Sequence, residues 1–259
     1  MKKLLFFDID GTLTNEATGE IPNSTKKAII KARENGHLCF LNSGRPYVTI
    51  DNHFKNMVDG IVCALGTYIE FNGKVLFHKS IEKEVCQEIM ELALDCNVEC
   101  YFEGKNYICC LENSRFETFN NLTEMFKRKN MLIKNYPKSD IEFDKFCSME
   151  DDIGDYKRFN EYISKYFRKI DRGHQFFEYE PLGYSKATGI DYLCEYFNTT
   201  LDNCYVFGDS TNDLPMLENV KHSVLMGNGN KALIDKVEYV TTLSSVDGIE
   251  NALKHYGLI

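Results

Sequence analysis

Leu4-Leu5-Phe6-Phe7-Asp8-Ile9-Asp10-Gly11-Thr12-Leu13 decides the reading of this chain. A short apolar run that closes on two acids one residue apart reads as a buried strand delivering carboxylates to one end of a sheet. Period-two geometry predicts the side chains of Asp8 and Asp10 on the same side of the chain. Gly11 permits a tight turn there, and Thr12 adds a hydroxyl and a backbone N–H. Two like charges held together are unfavourable unless something uses them.

Working outward, strand and helix patterns alternate. Strand Leu4–Phe7 leads to a helix over Ser24–Asn35, which Ser24 or Asn23 can cap and Gly36 stops. Strand Leu38–Leu41, a helix near Tyr47–Asn56 and strand Gly60–Cys63 follow. Tyr68–Phe71 and Lys74–Phe77 flank Asn72-Gly73, a two-residue hairpin signal. From Glu82 the pattern changes to a mixture of helices (Glu82–Cys96, Phe116–Lys129, Asp151–Tyr166) and strands (Glu99–Phe102, Tyr107–Leu111, Glu142–Cys147, Gln175–Tyr179). These strands are expected to pair in a separate antiparallel sheet. After Pro181-Leu182-Gly183 the alternation returns: helix Lys186–Phe197, strand Cys204–Phe207, helix Leu214–Glu218, strand Ser223–Met226, a short helix at Lys231–Lys236, strand Tyr239–Thr241 and helix Val246–Tyr256. Repeated β-α units predict an α/β fold with a parallel, Rossmann-like sheet covered by helices on both faces. The expected organisation is a discontinuous core domain over 1–81 and 183–259, with an α+β domain over 82–182 inserted into it.

Composition narrows the function. The 259 residues leave ample chain for a real core, and 43% hydrophobic and 27% charged residues are ordinary globular values. A net charge of -9 argues against nucleic acid or an anionic membrane surface as partner. No run approaches the roughly 18 apolar residues of a membrane span. Lys2-Lys3 before Leu4–Phe7 superficially suggests a signal peptide, but the apolar stretch stops at Asp8. The expectation is a cytoplasmic chain, a monomer or weak homodimer. The ten cysteines include no Cys-x-x-Cys pair, and most sit inside apolar runs. They read as reduced, buried thiols rather than a disulfide or metal framework. The six histidines show no ligand spacing.

Further polar clusters sit where a parallel sheet places its ligands, at strand carboxyl ends or the start of the next helix. Leu38–Leu41 ends in Asn42-Ser43-Gly44-Arg45-Pro46, and Cys204–Phe207 ends in Gly208-Asp209-Ser210-Thr211-Asn212-Asp213. Lys186 follows the Gly183-Tyr184-Ser185 turn and opens a helix. Each close carboxylate pair costs roughly 4 kcal/mol at an effective dielectric near 20. Asp8, Asp209 and Asp213 therefore converge only with a counter-charge. All-oxygen ligation with few protein donors suits Mg²⁺, which keeps waters and shares a phosphate. Ser43, Lys186 and the Gly44 N–H suit the other side of a phosphoryl group.

Asp8-Ile9-Asp10-Gly11-Thr12, Ser43-Gly44-Arg45-Pro46, Lys186 and Gly208-Asp209-x-x-Asn212-Asp213 resemble the four motifs of the haloacid dehalogenase superfamily, in order along the whole chain. The insert between the second and third motifs resembles the cap of its Cof-type (type IIB) phosphatases. The resemblance implies that Asp8 is the nucleophile, giving an aspartyl-phosphate, and that Asp10 is the general acid and then the base. It implies Mg²⁺ held by Asp8, the backbone carbonyl of Asp10 and Asp209, with Asp213 a ligand or directly behind them. Gly11, Thr12, Ser43, Gly44, Arg45, Lys186 and Asn212 would surround the phosphoryl group or substrate. For Arg45 a substrate contact and a structural ion pair stay equally open. One element departs from the family: Leu65-Gly66-Thr67 stands where Cof-type proteins carry Asn-Gly-Ala.

The expected activity is Mg²⁺-dependent hydrolysis of small phosphate monoesters, a sugar phosphate or a phosphorylated cofactor. A phosphomutase related to phosphomannomutases, or a phosphometabolite sensor without turnover, are the alternatives. The aromatics Tyr101, Phe102, Tyr107, Phe176 and Phe177 read as sheet core in preference to a substrate pocket, whereas Glu178 and Tyr179 are open to either role.

Overall fold

An uninterrupted apolar run is stable as a strand only where both faces of its sheet are covered. Leu4–Phe7 and its neighbours Leu38–Asn42 and Gly60–Cys63 meet that condition, being buried along their whole length. The computed structural model describes residues 2–138 and 140–259. The chain runs β1 (Leu4–Phe7), α1 (Asn23–Glu34), β2 (Leu38–Asn42), α2 (Asn52–Lys55), β3 (Gly60–Cys63), β4 (Tyr68–Phe71) and β5 (Lys74–His78). It continues through α3 (Lys83–Asp95), β6 (Cys100–Glu103), β7 (Ile108–Cys110), α4 (Glu117–Arg128), β8 (Ile133–Asn135) and β9 (Lys145–Met149). Next come α5 (Tyr156–Ile163), β10 (Phe167–Asp171) and β11 (Phe176–Pro181). The last stretch holds α6 (Lys186–Tyr196), β12 (Cys204–Gly208), α7 (Leu214–Asn219), β13 (His222–Leu225), β14 (Tyr239–Val240) and α8 (Gly248–His255).

Backbone contacts divide the chain into two compact units: 1–44, 51–78 and 185–259 form one, and 45–50 with 79–184 the other. These bounds differ from the sequence-based ones at 45–50, 79–81 and 183–184. Packing gives the reason for the first of these, since Val48 lies against the Tyr101, Ile108 and Phe119 cluster of the second unit.

The first unit is built on an eight-stranded sheet in the order β14-β13-β12-β1-β2-β3-β4-β5. It is parallel from β14 to β3, and β4 and β5 add an antiparallel hairpin at one edge. Asn72 and Gly73 turn that hairpin with φ of 50° and 75°, the paired positive values of a type I′ turn. On one face Leu4, Phe6, Leu38 and Phe40 pack with Ile190 and Leu193 of α6 and with Met216 and Leu217 of α7. Alternation sends Leu5, Phe7, Cys39 and Leu41 to the opposite face, where all four are fully buried. Each such side chain contributes about 1.5–3 kcal/mol by leaving water.

The second unit carries a six-stranded sheet in the order β10-β11-β9-β6-β7-β8. Its pairings are antiparallel except β7 with β8, which is parallel because α4 crosses between them. Phe102, Phe143, Phe146, Phe159, Phe167 and Tyr179 fill its main core, with Phe146 and Tyr179 stacked at 4.3 Å. Tyr101 and Phe102 are thus core, as expected, and Phe176 packs on the second cluster beside Phe119. Tyr179 is core as well, and Glu178 is ion-paired with the buried Lys145.

Several element boundaries differ from the expectation. The helix expected near Tyr47–Asn56 is a single 3-10 turn at Tyr47–Thr49 followed by the short α2. The helix expected from Asp151 starts only at Tyr156, because the Asp151 carboxylate is held by Arg115, Tyr156 and the N–H groups of Ile153 and Gly154. Strands β8 and β10 were not expected. Among the described residues no helix is long and apolar enough to cross a membrane. All ten cysteines are free and buried.

Candidate active site

Register in the first sheet explains why distant motifs meet. Phe7 pairs with Phe207 on one side and with Leu41 on the other. Asp8, Asp209 and Ser43 follow these residues by one or two positions, so they emerge at the carboxyl ends of three adjacent parallel strands. Open α/β sheets bind their ligands at that edge. All three are buried, at 5%, 8% and 1% exposure.

The β1 ladder ends at Phe7, so strand alternation does not carry on to Asp10. Residues 9–13 form a wide turn in which the Thr14 N–H donates to the Ile9 carbonyl. Asp8 is buried while Asp10 is exposed. Gly11 adopts φ of 78°, and a Cβ there would lie 2.5 Å from Asp209 Oδ2, so only glycine lets the turn close on that carboxylate. The Thr12 hydroxyl donates to Asp209 Oδ1 at 3.1 Å.

Lys186 reaches the same point from α6. Its helix starts where it does because the Ser185 hydroxyl accepts from the N–H groups of Ala187 and Thr188, and the Thr188 hydroxyl accepts from the Ser185 N–H. That reciprocal cap makes Lys186 the first helical residue. Its ammonium is wholly buried and donates to Asp8 Oδ1 at 2.5 Å and Asp213 Oδ1 at 2.6 Å. The other Asp213 oxygen accepts from the N–H groups of Asp209 and Ser210, both at 2.9 Å. Asp213 therefore braces both Lys186 and the loop that carries Asp209. Asn212 is half-buried, with its Oδ1 accepting from Ser210. Gly44 is half-buried beside Ser43, whereas Arg45 groups with the second unit.

Asp8, Asp209 and Asp213 each offer a carboxylate oxygen, and these lie within 4.8 Å of one another. With every carboxylate ionised, one lysine against three acids would leave the cluster two charges negative. Burial pushes Asp209 up to about 8, reinforced by Asp8 and Asp213. Burial also raises Asp8, Lys186 opposes it, and Asp213 adds to it, for a value of about 7. Burial alone would depress Lys186, but Asp213 and Asp8 outweigh it and hold the ammonium above its ordinary range. An all-oxygen set with surplus negative charge fits a hard divalent cation of the Mg²⁺ class.

Two contributors escaped sequence reasoning. Asn228 donates to the Gly11 carbonyl at 2.8 Å and accepts from the Ser244 N–H, tying the turn over 9–13 to the loop after β13. Gly227-Asn228-Gly229 at a strand end was the available signal. Asn42, directly before Ser43, donates to the Lys186 carbonyl. The Leu65-Gly66-Thr67 element lies against α6: Ala64, Leu65 and Gly66 all have positive φ, and a Cβ on Gly66 would be 2.3 Å from the Ser185 carbonyl oxygen.

Comparison with known proteins adds four findings. The sequence profile of the haloacid dehalogenase-like hydrolases matches residues 5–253. YkrA of Bacillus subtilis (strain 168), which goes by a phosphatase name, is 28% identical over 268 residues covering 99% of this chain and 98% of that protein. From the same organism, YitU, named as a 5-amino-6-(5-phospho-D-ribitylamino)uracil phosphatase, is 24% identical over 98% of this chain and 97% of its own length. Among solved structures, the subclass IIB sugar phosphatase BT4131 superposes with a TM-score of 0.83 at 26% identity, covering 99% of this chain and 100% of that one.

Proposed function

Because the chain belongs to the haloacid dehalogenase-like hydrolase family, we propose that it hydrolyses small phosphate monoesters, with Asp8 as nucleophile and Mg²⁺ held among its carboxylates. The observation that carries this reading is the buried Asp8 carboxylate, bonded at Oδ1 to Lys186 and crowded by Asp209 and Asp213. A purely structural cluster gains little from burying three acids with one base.

Asp8 and Asp209 would hold the ion directly, together with the backbone carbonyl of Asp10, while Asp213 holds the Asp209 loop and Lys186 in place. Bound there, Mg²⁺ supplies positive charge that keeps the carboxylates ionised and neutralises phosphoryl oxygens. The chain's own residues do the rest. Lys186 fixes Asp8 by one oxygen, which leaves Oδ2 to attack phosphorus as the ester P–O bond breaks. Asp10, exposed at the turn, gives its proton to the departing alcohol. Water then attacks the aspartyl-phosphate, Asp10 takes back a proton, and orthophosphate leaves with the Asp8 carboxylate restored. Ser43, Lys186 and the N–H groups of the Gly11-Thr12 and Ser43-Gly44 turns would hold the phosphoryl oxygens, chemistry that rests on positioning and charge. The names of YitU and BT4131 support a phosphorylated sugar or sugar-alcohol derivative as substrate.

Phosphate release from a panel of monoesters, with and without Mg²⁺, tests the reading. Turnover is expected only with the ion, and Asp8→Asn is expected to abolish it. Full activity in Asp8→Asn would refute the mechanism, and conversion of a hexose 1-phosphate to its isomer would make the chain a mutase.

A further inference from the structure

We propose that Asn42 is a positioning residue that sets Lys186 between Asp8 and Asp213; the argument rests on the phosphatase reading for its kinetic part only. Leu38, Phe40 and Asn42 share one face of β2. The first two meet the apolar side chains of α6 and α7. An apolar residue is therefore expected at the third position as well. Instead a wholly buried amide stands there, and its Oδ1 has no hydrogen-bond partner among the described residues. A buried acceptor left unmade is unfavourable, so something must offset it.

The amide nitrogen shows what does. Asn42 Nδ2 donates to the Lys186 backbone carbonyl at 2.9 Å and to Met216 Sδ at 3.4 Å. Flipping the amide would set oxygen against oxygen, so this orientation is the one the site permits. Lys186 opens α6, and Met216 lies on α7, the helix that follows Asp213 directly. One side chain thus ties together the starts of the two elements that carry the ends of the Lys186–Asp213 ion pair. The same residue is followed by Ser43, whose backbone N–H donates to Val62 and whose carbonyl accepts from Leu65. Asn42 therefore sets the Lys186 ammonium relative to β2 as well as to Asp213.

Replacement by leucine suits the apolar layer and removes the orphaned oxygen, so Asn42→Leu is expected to melt no lower than the parent. Its kcat toward a monoester such as p-nitrophenyl phosphate is expected to fall about 10- to 100-fold, the penalty for a misplaced catalytic group. KM is expected to move less than about threefold, a split that mere loss of folded protein does not produce. Asn42→Ala is expected to behave alike in kcat, whereas Met216→Leu, which keeps the bond to the Lys186 carbonyl, stays near the parent. In a crystal structure of Asn42→Leu the Lys186 ammonium is expected to leave hydrogen-bond distance of Asp8 or Asp213. An ammonium still bonded to both, or an unchanged kcat per folded molecule, overturns the proposal. If the parent releases phosphate from no ester, the phosphatase reading fails by itself, and the position of the ammonium alone decides the role of Asn42.

Discussion

Stripped of metal, this protein is expected to lose stability as pH rises from 5 to 7, and Asp209 is, with Asp8, one of the two buried acids that cause it. Its carboxyl is raised from 3.8 to about 8 in the fold, first by burial and then by Asp8 and Asp213. The sign follows from that direction. A group whose folded value lies above its unfolded value stabilises the fold below the unfolded value, and that contribution drains away as pH climbs through the folded one. Between pH 5 and 7 folded Asp209 holds about one proton that the unfolded chain has released. Each pH unit then removes on the order of 1 kcal/mol, which over the window is about 5–10 °C in Tm for a chain of this size. The assay is thermal unfolding in EDTA at pH 5, 6 and 7 for the parent and for Asp209→Asn, which cannot titrate. The difference in Tm between the two isolates Asp209 from histidines and surface acids. Added Mg²⁺ should reverse the trend, because the ion needs the ionised carboxylate and its binding must expel the proton. Calorimetry near pH 6.5 in two buffers of different ionisation enthalpy should therefore show between about one and two protons released per ion bound, since Asp8 as well as Asp209 is raised in the fold. Parallel pH slopes for parent and variant, or Mg²⁺ binding with no proton release, would refute the electrostatic account of the site.

The remaining predictions concern single residues. Lys186→Met strands Asp8 and Asp213 without their buried partner and should cost about 3–5 kcal/mol at pH 8, read from urea unfolding; an unchanged midpoint would mean that the ion pair is not a stabilising contact. Gly66→Ala places a Cβ 2.3 Å from the Ser185 carbonyl at a φ of 89°. It should cost about 2–4 kcal/mol and lower phosphate release, because the start of α6 must move to make room. The ten thiols should all titrate with a thiol reagent in denaturant without reductant, including Cys194 and Cys204, whose sulfurs lie 3.3 Å apart. In the native protein they should react slowly, since burial pushes Cys86 and Cys109 up to about 12; a count below ten in denaturant would reveal a disulfide.

Legibility in the sequence tracked burial. β1, β2, β3 and β12 were readable because a strand covered on both faces is apolar at every position. The hairpin of β4 and β5 was readable because Asn-Gly suits a turn with two positive φ values. β8 and β10 were not, and both are edges of the second sheet. An edge strand is half-exposed and carries charge, as Arg168 and Lys169 do on β10, so the apolar signal is absent. The parallel pairing of β7 with β8 was hidden for the same reason.

At the site, the residue types were legible one motif at a time. Two acids after an apolar run, Ser43-Gly44, a lysine at a helix start and a second acid-rich loop already marked the polar positions that the fold brings to one sheet edge. They also bound the fold class, since apolar runs alternating with amphipathic helices have one stable arrangement, a covered parallel sheet. Tertiary structure alone decided how those residues divide the work. Which acid is buried and which exposed depends on where the β1 ladder stops, one residue before Asp8. That Asp213 braces Lys186, that Thr12 turns to Asp209, and that Asn42 reaches the Lys186 carbonyl depend on contacts across 27, 197 and 144 positions of chain. Local pattern reports whether a position is buried and what it can donate or accept. It does not report which partner the sheet register brings within hydrogen-bond distance, and that distance sets the role of each charge.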